Sequence, residues 1–250
     1  MVKKVNSPIT DMVQKIVAIG GGGFLMEPDN PLLDRYFLQK TEKSNPKVCF
    51  IPTASGDSEA FLSCFYSTFA KYPCEPSHLA FFRKPGTRSI PLNEIEQHLL
   101  NQDAIYVSGG NTRAMFAVWQ EWHLQAILKK AWNSGILLGG MSAGALCWFD
   151  CGGSDSTYIN KLSPLQGLGF LSGSCTPHYD SELNRRADLH QLLKSGEIPS
   201  GIGIDDGVAI LFEGQQVIEV VSSRATAKAY RISLKNGQVV EQELMATYLG

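Results

Sequence analysis

The sequence predicts an α/β fold, a mostly parallel sheet with helices on both faces, followed by C-terminal antiparallel β ribbons. Three observations carry this expectation. Short apolar runs of strand length alternate with amphipathic stretches from residue 15 to about residue 150, the pattern of a parallel sheet covered on both sides. The run Ile136-Leu137-Leu138 leads directly into Gly140-Met141-Ser142-Ala143-Gly144, a glycine-flanked turn from strand to helix. Beyond Val208 the apolar runs shorten and are separated by Glu-Gly and Asn-Gly turns, as in antiparallel hairpins. The 250 residues carry no internal repeat, low-complexity tract or linker. One domain over 1–250 is therefore expected, with 1–14 an N-terminal extension and 208–250 a β-rich part of the same domain.

In chain order, Lys15 to Gly20 reads as a first buried strand, followed at once by Gly20 to Gly23. A dinucleotide fingerprint would need glycine at position 25 and finds Leu25, and no Gly-Lys-Ser/Thr follows. The run is better read as a loop whose bare backbone comes close to a neighbouring site. Pro31 to Lys40 has Leu32, Leu33, Tyr36 and Phe37 at helical spacing. Val48 to Ile51 is a second strand ended by Pro52, Asp57 to Lys71 a helix with an aromatic face, and His78 to Phe82 a third strand. Ile90 to Leu100 is expected to be helical. Ala104 to Val107 is a fourth strand, opening onto Ser108-Gly109-Gly110-Asn111-Thr112. Helical segments fill Arg113 to Asn133 before the strand at Ile136. Residues 151–169, rich in Gly, Ser and Asp, are expected as a loop over the carboxyl end of the sheet. Phe170 to Thr176 returns to the sheet and ends at Pro177-His178. Ser181 to Lys194 is helical, and Ile202 to Ile204 is a short strand before the turn Asp205-Asp206-Gly207.

Composition narrows the function classes. A net charge of −2 with scattered Lys and Arg leaves no electrostatic footprint for nucleic acid. Six cysteines spread over so long a chain do not form a disulfide scaffold, and several sit in apolar runs where a thiol acts as a small hydrophobe. Cys147 and Cys151 have no second ligand pair at zinc spacing, so no metal is expected. No window reaches membrane-spanning length and the first residues lack a signal-peptide apolar core, so a cytoplasmic protein with no membrane partner is expected.

The turn at Gly140 to Gly144 fits G-x-S-x-G, the pattern that presents a serine nucleophile at a sharp elbow, with the N–H of Ala143 placed to donate to an oxyanion. Read plainly, the same serine caps a helix. A serine nucleophile needs a base, and the base needs an orienting carboxylate. Of five histidines, His78, His98, His123 and His190 lie in or beside elements at ordinary surface spacing. His178 instead follows Pro177 at a strand end, on the rim expected for the elbow. Asp205 and Asp206 follow the next strand, and either is placed to orient His178; the plainer reading of the pair is an Asx turn before Gly207. Gly109-Gly110-Asn111 offers a second oxyanion donor, or else a turn capped by Asn111 or Thr112.

Ser108-Gly109-Gly110-Asn111-Thr112, Gly140-Met141-Ser142-Ala143-Gly144-Ala145, Pro177-His178 and Gly203-Ile204-Asp205-Asp206-Gly207 occur in the order and approximate spacing of the peptidase E family of serine peptidases. On these motifs the chain resembles that family, which includes aspartyl dipeptidases and, more distantly, cyanophycinases. The resemblance implies a flavodoxin-like sheet related to that of class I glutamine amidotransferases, and a triad of Ser142, His178 and Asp206. It also implies an oxyanion hole from Gly110 and Ala143, no cofactor or metal, and a monomer or small homo-oligomer acting on short peptides. Asn111 becomes a substrate-binding candidate, and Arg185 matches the position of an arginine that recognises an aspartyl carboxylate. Two departures stand out. Asp205-Asp206-Gly207 replaces Pro-Glu-Gly, leaving Asp205 and Asp206 both open as the acid. Glu182 and Asp188 flank Arg185 and Arg186 at ion-pair spacing. The reading is thus a serine dipeptidase; a cyanophycinase-like enzyme, an esterase and a non-catalytic binding protein on the same fold are the alternatives.

Overall fold

The computed structural model of the chain describes residues 13–82, 90–158 and 161–250. Most of the expected N-terminal extension therefore lies outside the described residues. Five strands, β1 (Lys15–Ile19), β2 (Lys47–Ile51), β3 (Glu75–His78), β4 (Ala104–Val107) and β5 (Leu137–Met141), run parallel in the spatial order β3-β2-β4-β5-β1. Helices α1 (Leu32–Gln39), α2 (Glu59–Phe69), α3 (Ile95–Leu100), α4 (Thr112–Glu121) and α5 (Leu124–Asn133) alternate with them, and a single turn, α6 (Ala143–Leu146), follows β5.

Both faces of β1, β2, β4 and β5 are buried. Along β1, Ile16 and Ala18 join one apolar cluster while Val17 and Ile19 join another, as the two-residue period of a strand requires. The second cluster takes Leu33 and Phe37 from α1 and Phe65 and Phe69 from α2. The first takes Met115 and Trp119 from α4 and Leu124 and Leu128 from α5. Asn111 caps α4, its Oδ1 accepting the Ala114 N–H at 2.9 Å. The helical segments expected over 113–133 are α4 and α5, which part at His123, where φ is 51°.

The chain after α6 departs from expectation. Residues 151–169 are not a loop: β6 (Phe149–Tyr158) and β7 (Lys161–Gln166) form an antiparallel pair. They belong to a second, six-stranded sheet with β8 (Leu171–Pro177), β9 (Gly201–Ile204), β12 (Ala229–Lys235) and β13 (Gln238–Leu244), in the order β13-β12-β9-β8-β6-β7. Nothing in Phe149-Asp150-Cys151-Gly152-Gly153-Ser154 has the β-branched character of a strand. Pairing on both edges, to β7 and to β8, overrides local propensity there. A further helix, α7 (Arg185–Ser195), lies between β8 and β9 in sequence and ends on Gly196 in the left-handed conformation.

The remaining strands, β10 (Val208–Glu213), β11 (Gln216–Ser222) and β14 (Thr247–Tyr248), extend the first sheet to eight, with β10 antiparallel to β1. The C-terminal hairpins are thus shared between two sheets. The third strand lies at 75–78 instead of 78–82, and regular α-helix in 90–100 begins only at Ile95, after a 3-10 turn at Leu92–Glu94. The first apolar cluster runs without a break from Ile105 and Leu138 to Trp148, Cys175, Ile202 and Ala229, so residues of both sheets share one core.

Candidate active site at the junction of two sheets

At Met141 the strand β5 stops and Ser142 takes φ 58° and ψ −111°, a conformation that costs an L-residue energy and places the side chain at the mouth of a cavity. The Ser142 N–H is held by the carbonyl of Ile19, the last residue of β1, at 3.0 Å. The Ser142 hydroxyl is not spent on any hydrogen bond among the described residues. α6, which begins at the next residue, packs against β1, β4, β5 and β8, and so ties the first sheet to the strand that carries His178.

His178 and Asp206 come from the second sheet. β8 and β9 are parallel neighbours with Pro177 opposite Ile204, so both chains leave the sheet at the same end. His178 holds φ 54°, and its Nδ1 lies 2.6 Å from Asp206 Oδ1; both side chains are buried. The expectation that His178 shares a sheet with the elbow is therefore corrected: Ser142 follows β5 of the first sheet, whereas His178 follows β8 of the second. Beside the pair, Gly207 N–H donates to Gly21 O (2.7 Å), and Gly20 N–H donates to Val208 O (3.0 Å), which continues the β1–β10 ladder of the first sheet. Gly21 itself forms a bridge with Asp206. A Cβ on Gly21 would lie 2.0 Å from Asp206 Oδ1 and 2.8 Å from His178 Nδ1. The glycine run after β1 is thus an approach of bare backbone to the histidine–aspartate pair.

The two adjacent aspartates have different partners. Asp206 accepts from His178, and its own N–H donates to Asp180 Oδ1 at 2.9 Å. Burial works against the Asp206 charge, but the His178 contact outweighs it, helped by the Ser181 hydroxyl and the Arg224 guanidinium, so its carboxyl titrates below the ordinary value. Asp205 turns to the backbone of Lys228, accepting its N–H at 2.9 Å, and burial pushes its carboxyl up to about 6.

The cavity beside Ser142 encloses about 390 Å³ and is lined by Gly110, Ala143, Gly153, Pro177 and their neighbours. That is the small end of the range for small-ligand sites. The N–H of Gly110 has no partner among the described residues, and that of Ala143 is the first of α6, outside the helix's own bonding. Gly110 is held at φ 135°, where a Cβ would lie 2.2 Å from the Ala54 carbonyl oxygen. Asn111 lines the cavity, but its side chain is engaged: Oδ1 caps α4 and Nδ2 donates to Ser156 O at 3.2 Å.

Arg185 and Arg186 separate. Arg186 lies outside the cavity, its guanidinium 4.6 Å from the Tyr179 ring centre and 4.8 Å from that of Tyr230. Arg185 is buried in the cavity wall, bonded to Glu182 and 3.7 Å from Asp155 Oδ2. The ordinary surface ion pair expected there is therefore partly buried and lines the cavity. Asp188 accepts the Leu162 N–H at 2.9 Å. Sequence reasoning missed Asp155, which it placed in a loop, and Asp180, whose contact depends on the β8–β9 pairing. Among the described residues no three His, Cys, Asp or Glu side chains are grouped to hold a metal, and the six cysteines are free. No helix among them is long and apolar enough to cross a membrane.

The model of peptidase family S51 matches residues 16–220. The chain is 44% identical over 238 residues to the uncharacterized peptidase YgaJ of Bacillus subtilis (strain 168), covering 95% of this chain and 100% of that protein. It is 25% identical over 202 residues to the cyanophycinase of Synechococcus elongatus, covering 74% of this chain and 59% of that enzyme. In fold it is similar to the crystal structure of a peptidase from an acI-B1 Actinobacterium, with a TM-score of 0.71 and 22% identity over 94% of this chain and 96% of the other.

Proposed function

Because the chain belongs to peptidase family S51, as its likeness to the peptidase E family implied, we propose that it hydrolyses short peptides through an acyl-enzyme on Ser142, His178 and Asp206. The observation that carries this reading is the 2.6 Å His178–Asp206 contact beside Gly21, two residues beyond the Ile19 carbonyl that holds the Ser142 backbone. Ser142 Oγ attacks the scissile carbonyl as its proton passes to His178 Nε2. Asp206 on Nδ1 fixes the tautomer and offsets the imidazolium charge. The N–H groups of Gly110 and Ala143 hold the oxyanion. As the tetrahedral intermediate collapses, the C–N bond breaks and His178 gives its proton to the departing amine. Water then takes the place of the amine, and the same steps in reverse release the acid and free Ser142.

A cavity of this volume, walled by β6 and the first turn of α7, favours dipeptides over folded proteins. The same reading treats the chain as one catalytic domain, supported by the core cluster common to both sheets, and takes β1 to β5 as the flavodoxin-like part of an amidotransferase-related fold. The test is hydrolysis of a panel of dipeptides, β-aspartyl-arginine isopeptides and short-chain esters by the intact protein and by Ser142→Ala. Cleavage of dipeptides that disappears in Ser142→Ala supports the peptidase reading. An ester-only profile, or turnover that survives the substitution, rejects it.

A further inference from the structure

We propose that the cavity beside Ser142 selects peptides presenting a cationic group, an ammonium or guanidinium, to the carboxylates of Asp155 and Glu182, and that Arg185 does not clamp a substrate carboxylate. This rests on Ser142 being the reactive residue and names the class of substrate it receives. Among the described residues the charged side chains lining the cavity are Asp155, Glu182 and Arg185. Their exposures differ sharply. The Arg185 side chain is 4% exposed, whereas those of Asp155 and Glu182 are 45% and 40% exposed. What a ligand meets first is carboxylate.

The guanidinium is also already paired. Its Nη2 is bonded to Glu182 and lies 3.7 Å from Asp155 Oδ2, and Asp206 and Asp188 act on it electrostatically as well. A substrate carboxylate would have to share the guanidinium with Glu182 while facing Asp155, adding two repulsions to one attraction. Among the described residues of the cavity a cation is opposed by Arg185 alone, whose side chain is 4% exposed. It finds two solvent-facing carboxylates in a concave site, which focuses their field.

The acidic wall is held in place. Asp155 sits on β6 between Ser154 and Ser156, whose hydroxyls bond each other at 2.8 Å. Ser156 in turn accepts the Thr112 N–H at 2.9 Å and Asn111 Nδ2 at 3.2 Å, pinning this strand to the start of α4 beside Gly110. Glu182 is fixed by its bond to Arg185 and by the Arg185 N–H on its carbonyl at 3.3 Å. Thus the residues that tie Asn111 into the scaffold also orient the wall.

The test is calorimetric binding of four dipeptides, Ala-Ala, N-acetyl-Ala-Ala, Lys-Ala and Asp-Ala, to Ser142→Ala at neutral pH. Turnover plays no part, so a hydrolase reading that failed on the intact protein would leave this result standing on its own. Binding in the order Lys-Ala, then Ala-Ala, then Asp-Ala is expected, with about tenfold or more between the extremes. A loss on N-acetylation assigns the wall to the α-ammonium; a gain confined to Lys-Ala assigns it to the side chain. Adding Asp155→Asn or Glu182→Gln is expected to collapse the spread, and the two variants guard against one of them disturbing Arg185. Equal binding of all four peptides, or tightest binding of Asp-Ala with loss in Arg185→Ala, overturns the proposal.

Discussion

Ser142 and His178 both adopt positive φ, and neither is a glycine. Each is held there by the backbone around it, Ser142 through the Ile19 carbonyl and His178 through the bond from Tyr179 N–H to Ile204 O at 3.1 Å. Residues placed this way act as a unit, so single losses do not add. Ser142→Ala and His178→Ala are each expected to lower kcat by about 10⁶-fold, and Asp206→Asn by about 10⁴-fold, because the histidine stays in place but loses its tautomer. Steady-state kinetics on a cleaved dipeptide reads all three. Asp205→Asn is expected to leave kcat within about twofold, because that carboxylate serves the Lys228 backbone. A loss in Asp205→Asn equal to that in Asp206→Asn would move the acid role by one residue. The sequence left this choice open for a physical reason. Adjacent residues leaving a strand point to opposite sides, and which side meets His178 is decided by the β8–β9 register.

The loop after β1 is the element on which the site's geometry turns. Gly21→Ala would place a methyl 2.0 Å from Asp206 Oδ1, so the histidine–aspartate pair must shift or the loop must move. A fall of about 10²-fold or more in kcat with little change in KM is expected, since small displacements of reacting groups cost rates of that order. Unchanged kinetics in Gly21→Ala would show that the contact does not position the pair. The glycine run was legible as a close approach of backbone, because no phosphate motif fits it and four consecutive glycines cannot pack side chains. The strands β1, β2, β4 and β5 were equally legible, each being a continuous apolar run of strand length. β6 was not: Gly152, Gly153, Ser154 and Asp155 carry no strand signal, and only pairing to β7 and β8 makes them one. That single misreading hid the second sheet, and with it the acidic wall formed by Asp155.

On the scale of the whole molecule, the seam between two sheets holds two adjacent buried aspartates, Asp205 and Asp206. Asp205 sits there with its carboxyl pushed up to about 6 from an unfolded value near 3.8. The folded state therefore holds this proton more tightly than the unfolded chain does. Its contribution favours folding below about pH 4 and is lost as pH rises toward 6, leaving a penalty at neutral pH. Asp205→Asn keeps an acceptor for the Lys228 N–H without the charge. It is expected to raise stability by about 1 to 3 kcal/mol at pH 7 and by little at pH 4, measured by denaturant unfolding at both values. A gain of equal size at both pH values would mean that charge burial is not its cause. The two-sheet arrangement also decides where the candidate residues come from: Ser142 follows a strand of the first sheet, and the His178–Asp206 pair follows two strands of the second, with Gly207 N–H bonded to Gly21 O beside that pair. The account is tested most directly by treating the folded protein with a fluorophosphonate and locating the adduct by peptide mass spectrometry. It predicts one adduct, on Ser142, formed far more slowly in His178→Ala; an adduct on another residue, or a Ser142 that stays unmodified, would contradict it.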